Sequence, residues 1–339
     1  MKEGTIQDTH ISLAHGNGGR FMRELIEDIF ARHLANDTLD IKVDAASLVL
    51  ESRDIIFSTD GFTVQPLEFP GGNIGSLAVH GTVNDLAVAG AIPQYLSLNA
   101  FIEEGMEIAQ LDRIIASLAE AAREAGVKVV AGDTKVLQRG EGGGLYLATT
   151  GIGIKDPGLN PGLDKIRDGD VMLVSGSVGD HGISVLLARE QFGLRGDLKS
   201  DSACVLPLTR ALSGFDGLRF MRDPTRGGLA TVCHELLKTN NMGIRIRQAD
   251  IPISDPVQSV CDMLGYDPLF LACEGRVVAI VAPEEAEEVL ARWRALPEGK
   301  GAVIFGQIDA SLSQVVLETD LGGERILEEL EDDPLPRIC

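Results

Sequence analysis

The sequence predicts an α+β chain of two domains followed by a mobile tail. Three observations carry that reading. Strand-like and helix-like stretches follow one another without strict one-to-one alternation, which disfavours a simple doubly wound sheet. Residues 160–170, NPGLDKIRDGD, mix Pro, Gly and charge with no apolar period and read as a linker. The chain ends in EELEDDPLPRIC, whose acids and prolines cannot build a core. The expected divisions are 1–155, 168–325 and a tail at 326–339.

In the first region, HGNGG at 15–19 precedes a helical face of Met22, Leu25, Ile26, Ile29 and Phe30. IIFSTDG reads as a strand ending in a turn. A helix is expected after Gly71, Gly72 and Asn73, through SLAVHGTVNDLAVAG. PQYLSLNAFI is a strand, and Leu111, Ile114, Ile115, Leu118 and Ala122 mark a further helix. VKVVAGDTK reads as a strand running into a polar turn, and GLYLATTGIGI as a closing strand. In the second region DVMLVSG, GRVVAIVAP, VIFGQI and QVVLETD are strand-like. GISVLLAREQF, GGLATVCHELLKT and PEEAEEVLARW are helix-like.

The 339 residues are 44% apolar and 24% charged, the balance of a globular chain able to bury a large core. A net charge of -21 repels nucleic-acid phosphates and anionic membranes, so neither is an expected partner. A phosphorylated ligand needs local N–H groups, lysines or metal ions to offset that field. The five cysteines, Cys204, Cys233, Cys261, Cys273 and Cys339, form no CxxC pair, which excludes a zinc ribbon. Their odd number and the lack of a signal-peptide pattern point to the cytoplasm.

No P-loop, dinucleotide-binding turn, HExxH or GxSxG is present. Instead Asp44, Asp60, Asp85 and Asp133 punctuate apolar segments. Buried carboxylates need a cation or strong hydrogen bonds, and Mg²⁺ takes carboxylate and phosphate oxygens together. Caps and turns are the alternative for each. Glycines in HGNGG, FPGGN and TRGG supply main-chain N–H groups for anions. Lys135, His15 and His80 are open between ligand roles and ordinary surface or core roles. Cys339 is an exposed-type thiol on a proline-spaced arm, and about nine extended residues reach roughly 30 Å.

HGNGG with FMRELI, STDGFTVQPLEFPGGNIG, VNDLAVAGAIP, VVAGDTKV, RDPTRGGLATV and the ending PRIC together resemble the carbamoyl dehydratases of hydrogenase maturation, the HypE family. That family lies within the aminoimidazole-ribonucleotide-synthetase-like superfamily. The resemblance implies an N-terminal mixed sheet with helices on one side, joined across a homodimer into a barrel, and a C-terminal α/β sandwich. It implies ATP and Mg²⁺, a carbamoyltransferase that loads the terminal thiol, and an iron-carrying scaffold complex that receives cyanide for a nickel–iron centre. Carried onto this sequence, Cys339 bears the substrate group, Lys135 binds phosphate or orients the carbamoyl group, and Glu274 is the base. Asp44, Asp60, Asp85, Asp133 and Asp223 are the candidate metal ligands. His15, Gly16, Gly18, Gly19, Asp60, Gly61, Asn84, Asp85, Asp133, Thr134 and Gly227 are the candidate ATP contacts. A structural pairing of Glu274 with an arginine or lysine, Lys135 included, stays open. So do a small-molecule kinase and a non-enzymatic carrier.

Overall fold

The computed structural model describes residues 6–43, 45–189, 193–194, 196–319 and 321–330. Asp44 and Cys339 lie outside the described residues. The chain divides into two compact units: Met1–Leu86 with Ile92–Ile154, and Ala87–Ala91 with Lys155–Ile338.

The first unit opens with a 3₁₀ turn (Leu13–Gly16), then α1 (Arg20–Leu25), a π-helical stretch (Ile26–Ala31) and α2 (Arg32–Leu34). Leu25, Ile29, Phe30 and Leu34 bury the apolar face. There follow β1 (Ile55–Phe62), the short hairpin β2 (Glu68–Phe69) and β3 (Gly72–Asn73), then α3 (Ile74–Val88) and β4 (Ala91–Glu103). α4 (Ile108–Glu124), β5 (Lys128–Leu137) and β6 (Leu145–Lys155) complete the unit. The sheet order is β1-β6-β4-β5. β4 and β5 run parallel, as the crossover through α4 requires, while β1 is antiparallel to β6. α4 buries Leu111, Ile114, Ile115 and Leu118, as its 3.6-residue period demands.

Two expected turns are strand instead. Asp60 and Gly61 pair with Thr149 and Ala148, and Asp133 pairs with Asn99. The adjacent glycines read locally as turns, but continuous ladders on neighbouring strands satisfy the main chain and override that signal. Alternation then separates the side chains. Ser58, Asp60 and Phe62 are the more buried positions of β1, whereas Ile55 (49%) and Phe57 (64%) lie exposed.

The second unit contains β7 (Val171–Val174), α5 (Asp180–Ala188), α6 (Leu206–Arg210), β8 (Leu218–Arg222), α7 (Gly228–Asn240) and β9 (Gly243–Arg247). It continues through α8 (Asp255–Leu264), β10 (Val278–Val281), α9 (Ala286–Arg294), β11 (Val303–Asp309), β12 (Val315–Glu318) and β13 (Glu324–Ile326). The seven-stranded sheet has the order β13-β12-β9-β11-β7-β10-β8 and is antiparallel except where β12 meets β9. Period-2 alternation splits it into two cores. Met172, Val174, Val278 and Ile280 pack with Leu229, Cys233 and Leu236 of α7, while Leu173, Ala279 and Val281 pack with Leu208 of α6 and Trp293 of α9. This is the helix-covered α/β sandwich expected for the C-terminal half. Among the described residues, no helix is long and apolar enough to cross a membrane.

Candidate functional site

The first unit presents two groups of candidate residues. In the first, β1 lies against α3. Ser58 Oγ donates to Asp85 Oδ2 at 2.7 Å, and Gly61 N–H donates to Asp60 Oδ1 at 2.8 Å. Gly81 makes this approach possible: a Cβ there would meet the Phe62 ring at 2.7 Å and Asp60 Oδ2 at 3.7 Å. Asp60 and Asp85 therefore flank one seam. Asn84 and His80 are buried on the same helix, and burial pulls the His80 pKa down to about 4, leaving it neutral.

In the second group, β5 lies beside the HGNGG loop. Thr134 N–H donates to Asp133 Oδ1 at 2.9 Å, and Lys135 Nζ donates to Asp133 Oδ2 at 2.5 Å. A Cβ on Gly16 would stand 2.8 Å from Val136 Cβ, so only glycine lets the loop pack this close. His15 is buried; its Nδ1 accepts the Ser12 N–H at 3.1 Å, and its Nε2 stands 3.5 Å from Asp8 Oδ2. Gly18 takes a positive φ of 79°, and Gly19 caps α1. A mostly apolar cavity of about 110 Å³ lies between α1, the π-helical stretch and β5, lined by Met22, Phe30, Leu98, Asp133 and Thr134 among others. Thr134 Oγ1 is buried with no hydrogen-bond partner among the described residues.

The metal candidates are only partly brought together. β1 and β5 are opposite edges of the sheet, three strand spacings or about 14 Å apart. Asp60 and Asp133 of one chain thus cannot grip one ion. Among the described residues no three His, Cys, Asp or Glu converge as a cation cage. Asp60 and Asp85 share the β1–α3 seam, and Mg²⁺ is typically held by one or two carboxylates with phosphates completing its shell.

In the second unit the RDPTRGG loop packs on the segment leading to Glu274. Cys273 N–H donates to Pro224 O at 3.1 Å. Gly228 has a φ of 59°, and a Cβ there would meet Leu271 O at 2.5 Å. Gly227 has a φ of 64° and faces Leu330, while Lys238 of α7 pairs with Glu329 at 2.5 Å. Glu329 is therefore held to α7, and Leu330 lies near Gly227. Asp223 and Glu274 are both buried. Glu274 N–H donates to Asp201 Oδ1 at 3.1 Å. Asp201, Arg276 and Asp180 form a charged cluster that no motif announced. Their spacing in the chain is irregular, so only the fold could reveal them.

The AIR synthase related protein families match both halves, the N-terminal domain at residues 42–155 and the C-terminal domain at 167–317. A carbamoyl dehydratase HypE of Azotobacter vinelandii is 45% identical over 341 residues, covering 100% of each chain. A crystal structure of the hydrogenase maturation protein HypE in complex with ATP superimposes with a TM-score of 0.91 at 43% identity, covering 96% of this chain and 99% of that one. A HypE–HypF complex contains a chain matched at 40% identity with a TM-score of 0.79, covering 90% of this chain and 99% of that one. Full-length identity, both domain families and the superposed fold agree: the chain belongs to the HypE carbamoyl dehydratase family of AIR-synthase-related proteins.

Proposed function

We propose that this chain is a lyase that converts an S-carbamoyl group on its own Cys339 into a thiocyanate, using ATP. One observation carries the reading: 45% identity to a carbamoyl dehydratase HypE spans 100% of both chains. The cyanide so made would supply the CN ligand of a nickel–iron hydrogenase.

The chemistry sets what the site must do. A thiocarboxamide, S–C(=O)–NH₂, holds its oxygen firmly because oxide is a poor leaving group. ATP supplies the γ-phosphoryl group that turns that oxygen into phosphate, a good leaving group. The C–O bond then breaks, both N–H protons leave, and C≡N remains on sulfur, with ADP and phosphate as products. Glu274, buried beside the RDPTRGG loop, takes a proton from nitrogen. Lys135 swings from Asp133 onto phosphate or the carbamoyl oxygen; its ammonium is half exposed and free to turn. Asp60 and Asp85 would hold Mg²⁺, with Asp44, Asp223 and the Asp133 of a second copy as further candidates. The HGNGG loop with Gly16, Gly18 and Gly19, together with Gly61, Asn84, Thr134 and Gly227, is the proposed nucleotide contact. The activated group would hydrolyse in water, so the site must exclude it.

The homodimer reading is supported by the exposed apolar positions Ile55, Phe57 and Phe101 on the first sheet. A second copy laid there would bury them and close the sheet into a barrel. It would also let Asp60 of one chain approach Asp133 of another. The carbamoyltransferase partner is supported by the HypE–HypF complex. An iron-carrying scaffold complex receives the cyanide, in a cytoplasm that keeps the Cys339 thiol reduced.

The deciding experiment is mass spectrometry on protein carbamoylated at Cys339 and mixed with Mg-ATP. Loss of one water from the C-terminal peptide is expected. An unchanged mass with ATP bound would make the chain a carrier instead.

A further inference from the structure

Residues 273–276 are gripped at every position. Cys273 Sγ accepts Gly179 N–H at 3.2 Å. Glu274 N–H donates to Asp201 Oδ1 at 3.1 Å. Gly275 lies so close to the next strand of chain that a Cβ there would stand 1.9 Å from Asp201 O. Arg276 Nε donates to Ser177 O at 2.8 Å. The same guanidinium stands 3.4 Å from Asp201 Oδ2 and 3.5 Å from Asp180 Oδ2. Ser254 Oγ and Ser177 Oγ both donate to Asp180.

Asp201 is the costly member of this cluster. Its side chain is 1% exposed, and its Oδ2 accepts no hydrogen bond among the described residues. A buried carboxylate costs stability, and apolar residues of the same volume often serve stability better. Its specific work is therefore sought in what its other oxygen holds, the main chain of Glu274.

We propose that Asp201 is the positioning residue that sets Glu274 for proton transfer, acting through the main chain of residues 274 and 275. This rests on the reading of Glu274 as the base. Asp201 touches neither substrate nor nucleotide in this scheme. Oδ1 holds the Glu274 N–H, the Asp201 carbonyl walls off Gly275, and Arg276 with Asp180 keeps the carboxylate from turning away. The Glu274 main chain then has no room to shift.

The test uses the full-length protein carbamoylated at Cys339, with Mg-ATP, followed in single turnover by mass spectrometry. Asp201→Ala is expected to slow dehydration by up to about 100-fold, the scale of a misplacement of about 1 Å, while the Kd for ATP stays within about twofold. Asp201→Asn keeps an acceptor at Oδ1 and is expected to recover most of the rate. Asp201→Glu keeps the charge but moves the acceptor by one methylene, and is expected to stay slow. Equal rates in the Asn and Glu variants would overturn the proposal, as would a loss of ATP affinity in Asp201→Ala that matches its loss of rate. Should Asp201→Ala fail to fold, the Asn–Glu contrast still decides. An inactive Glu274→Gln beside a fully active Asp201→Ala removes the positioning role alone. A fully active Glu274→Gln removes the base itself, and with it the proposal.

Discussion

Ser58 on β1 and Asp85 on α3 are joined by a hydrogen bond of 2.7 Å, and this contact ties the sheet edge to the helix at the seam where Asp60 also lies. A hydrogen bond to a charged acceptor contributes about 1.5–3 kcal/mol. It fixes the orientation of the Asp85 carboxylate. Ser58→Ala is therefore expected to weaken Mg-ATP binding by about tenfold, and Asp85→Asn to weaken it further. Calorimetric titration with Mg-ATP, and with ATP in chelator, separates metal-dependent from metal-independent loss. Equal effects in both titrations would remove the metal role from Asp85.

Lys135 and Asp133 form a half-exposed pair that contributes little to folding, of order 0–1 kcal/mol. Lys135→Ala is expected to leave the urea midpoint nearly unchanged while abolishing measurable thiocyanate formation. A variant that turns over normally would show that the ammonium serves only Asp133.

Gly16 marks the closest approach of the HGNGG loop to β5, with 2.8 Å between its added Cβ and Val136 Cβ. Gly16→Ala is expected to push the loop outward and raise the Kd for ATP. Trimming the neighbour in Gly16→Ala with Val136→Ala makes room again and is expected to restore binding. No recovery in the double variant would sever the loop's position from nucleotide affinity.

Burial holds His80 at about 4, against 6.5 in the unfolded chain, and His181 at about 3. Between those limits the unfolded chain takes up protons that the folded chain refuses. The stability these neutral histidines allow is complete above pH 6.5, falls as pH drops below it, and is lost by the folded-state values. The urea midpoint is expected to fall between about pH 7 and pH 5, with a shallower fall in His80→Gln. A midpoint with the same slope in both proteins would show that His80 does not carry the effect.

Phe57 is 64% exposed on β1. If a second copy covers that face, Phe57→Asp is expected to convert the dimer to monomer in sedimentation velocity, since an unpaired charge cannot be buried cheaply. Dimers of unchanged strength would place the interface elsewhere.

Some of this site was legible in the chain itself. HGNGG and TRGG announced main chain that needs glycine, and Gly16, Gly227 and Gly228 meet that need by close approach or positive φ. The helix pattern of Leu111, Ile114, Ile115 and Leu118 announced its buried face. The aspartates were harder. STDGF and AGDTK look like turns because glycine beside aspartate is a local turn signal, yet both lie in strands paired to residues tens of positions away. Asp201 was invisible for the same reason: its partner Glu274 lies 73 residues on, and no spacing rule joins them.

The sequence by itself determined the family, the two α+β halves and the glycines of the HGNGG and TRGG loops, because period, composition and motif are local properties. Only the tertiary structure decided which aspartates are neighbours. Strand order separates Asp60 from Asp133, while the packing of α3 on β1 brings Asp60 beside Asp85. Likewise only the fold carried Asp201 to the Glu274 main chain, since hydrogen bonds between distant segments depend on how elements pack and not on how residues are spaced.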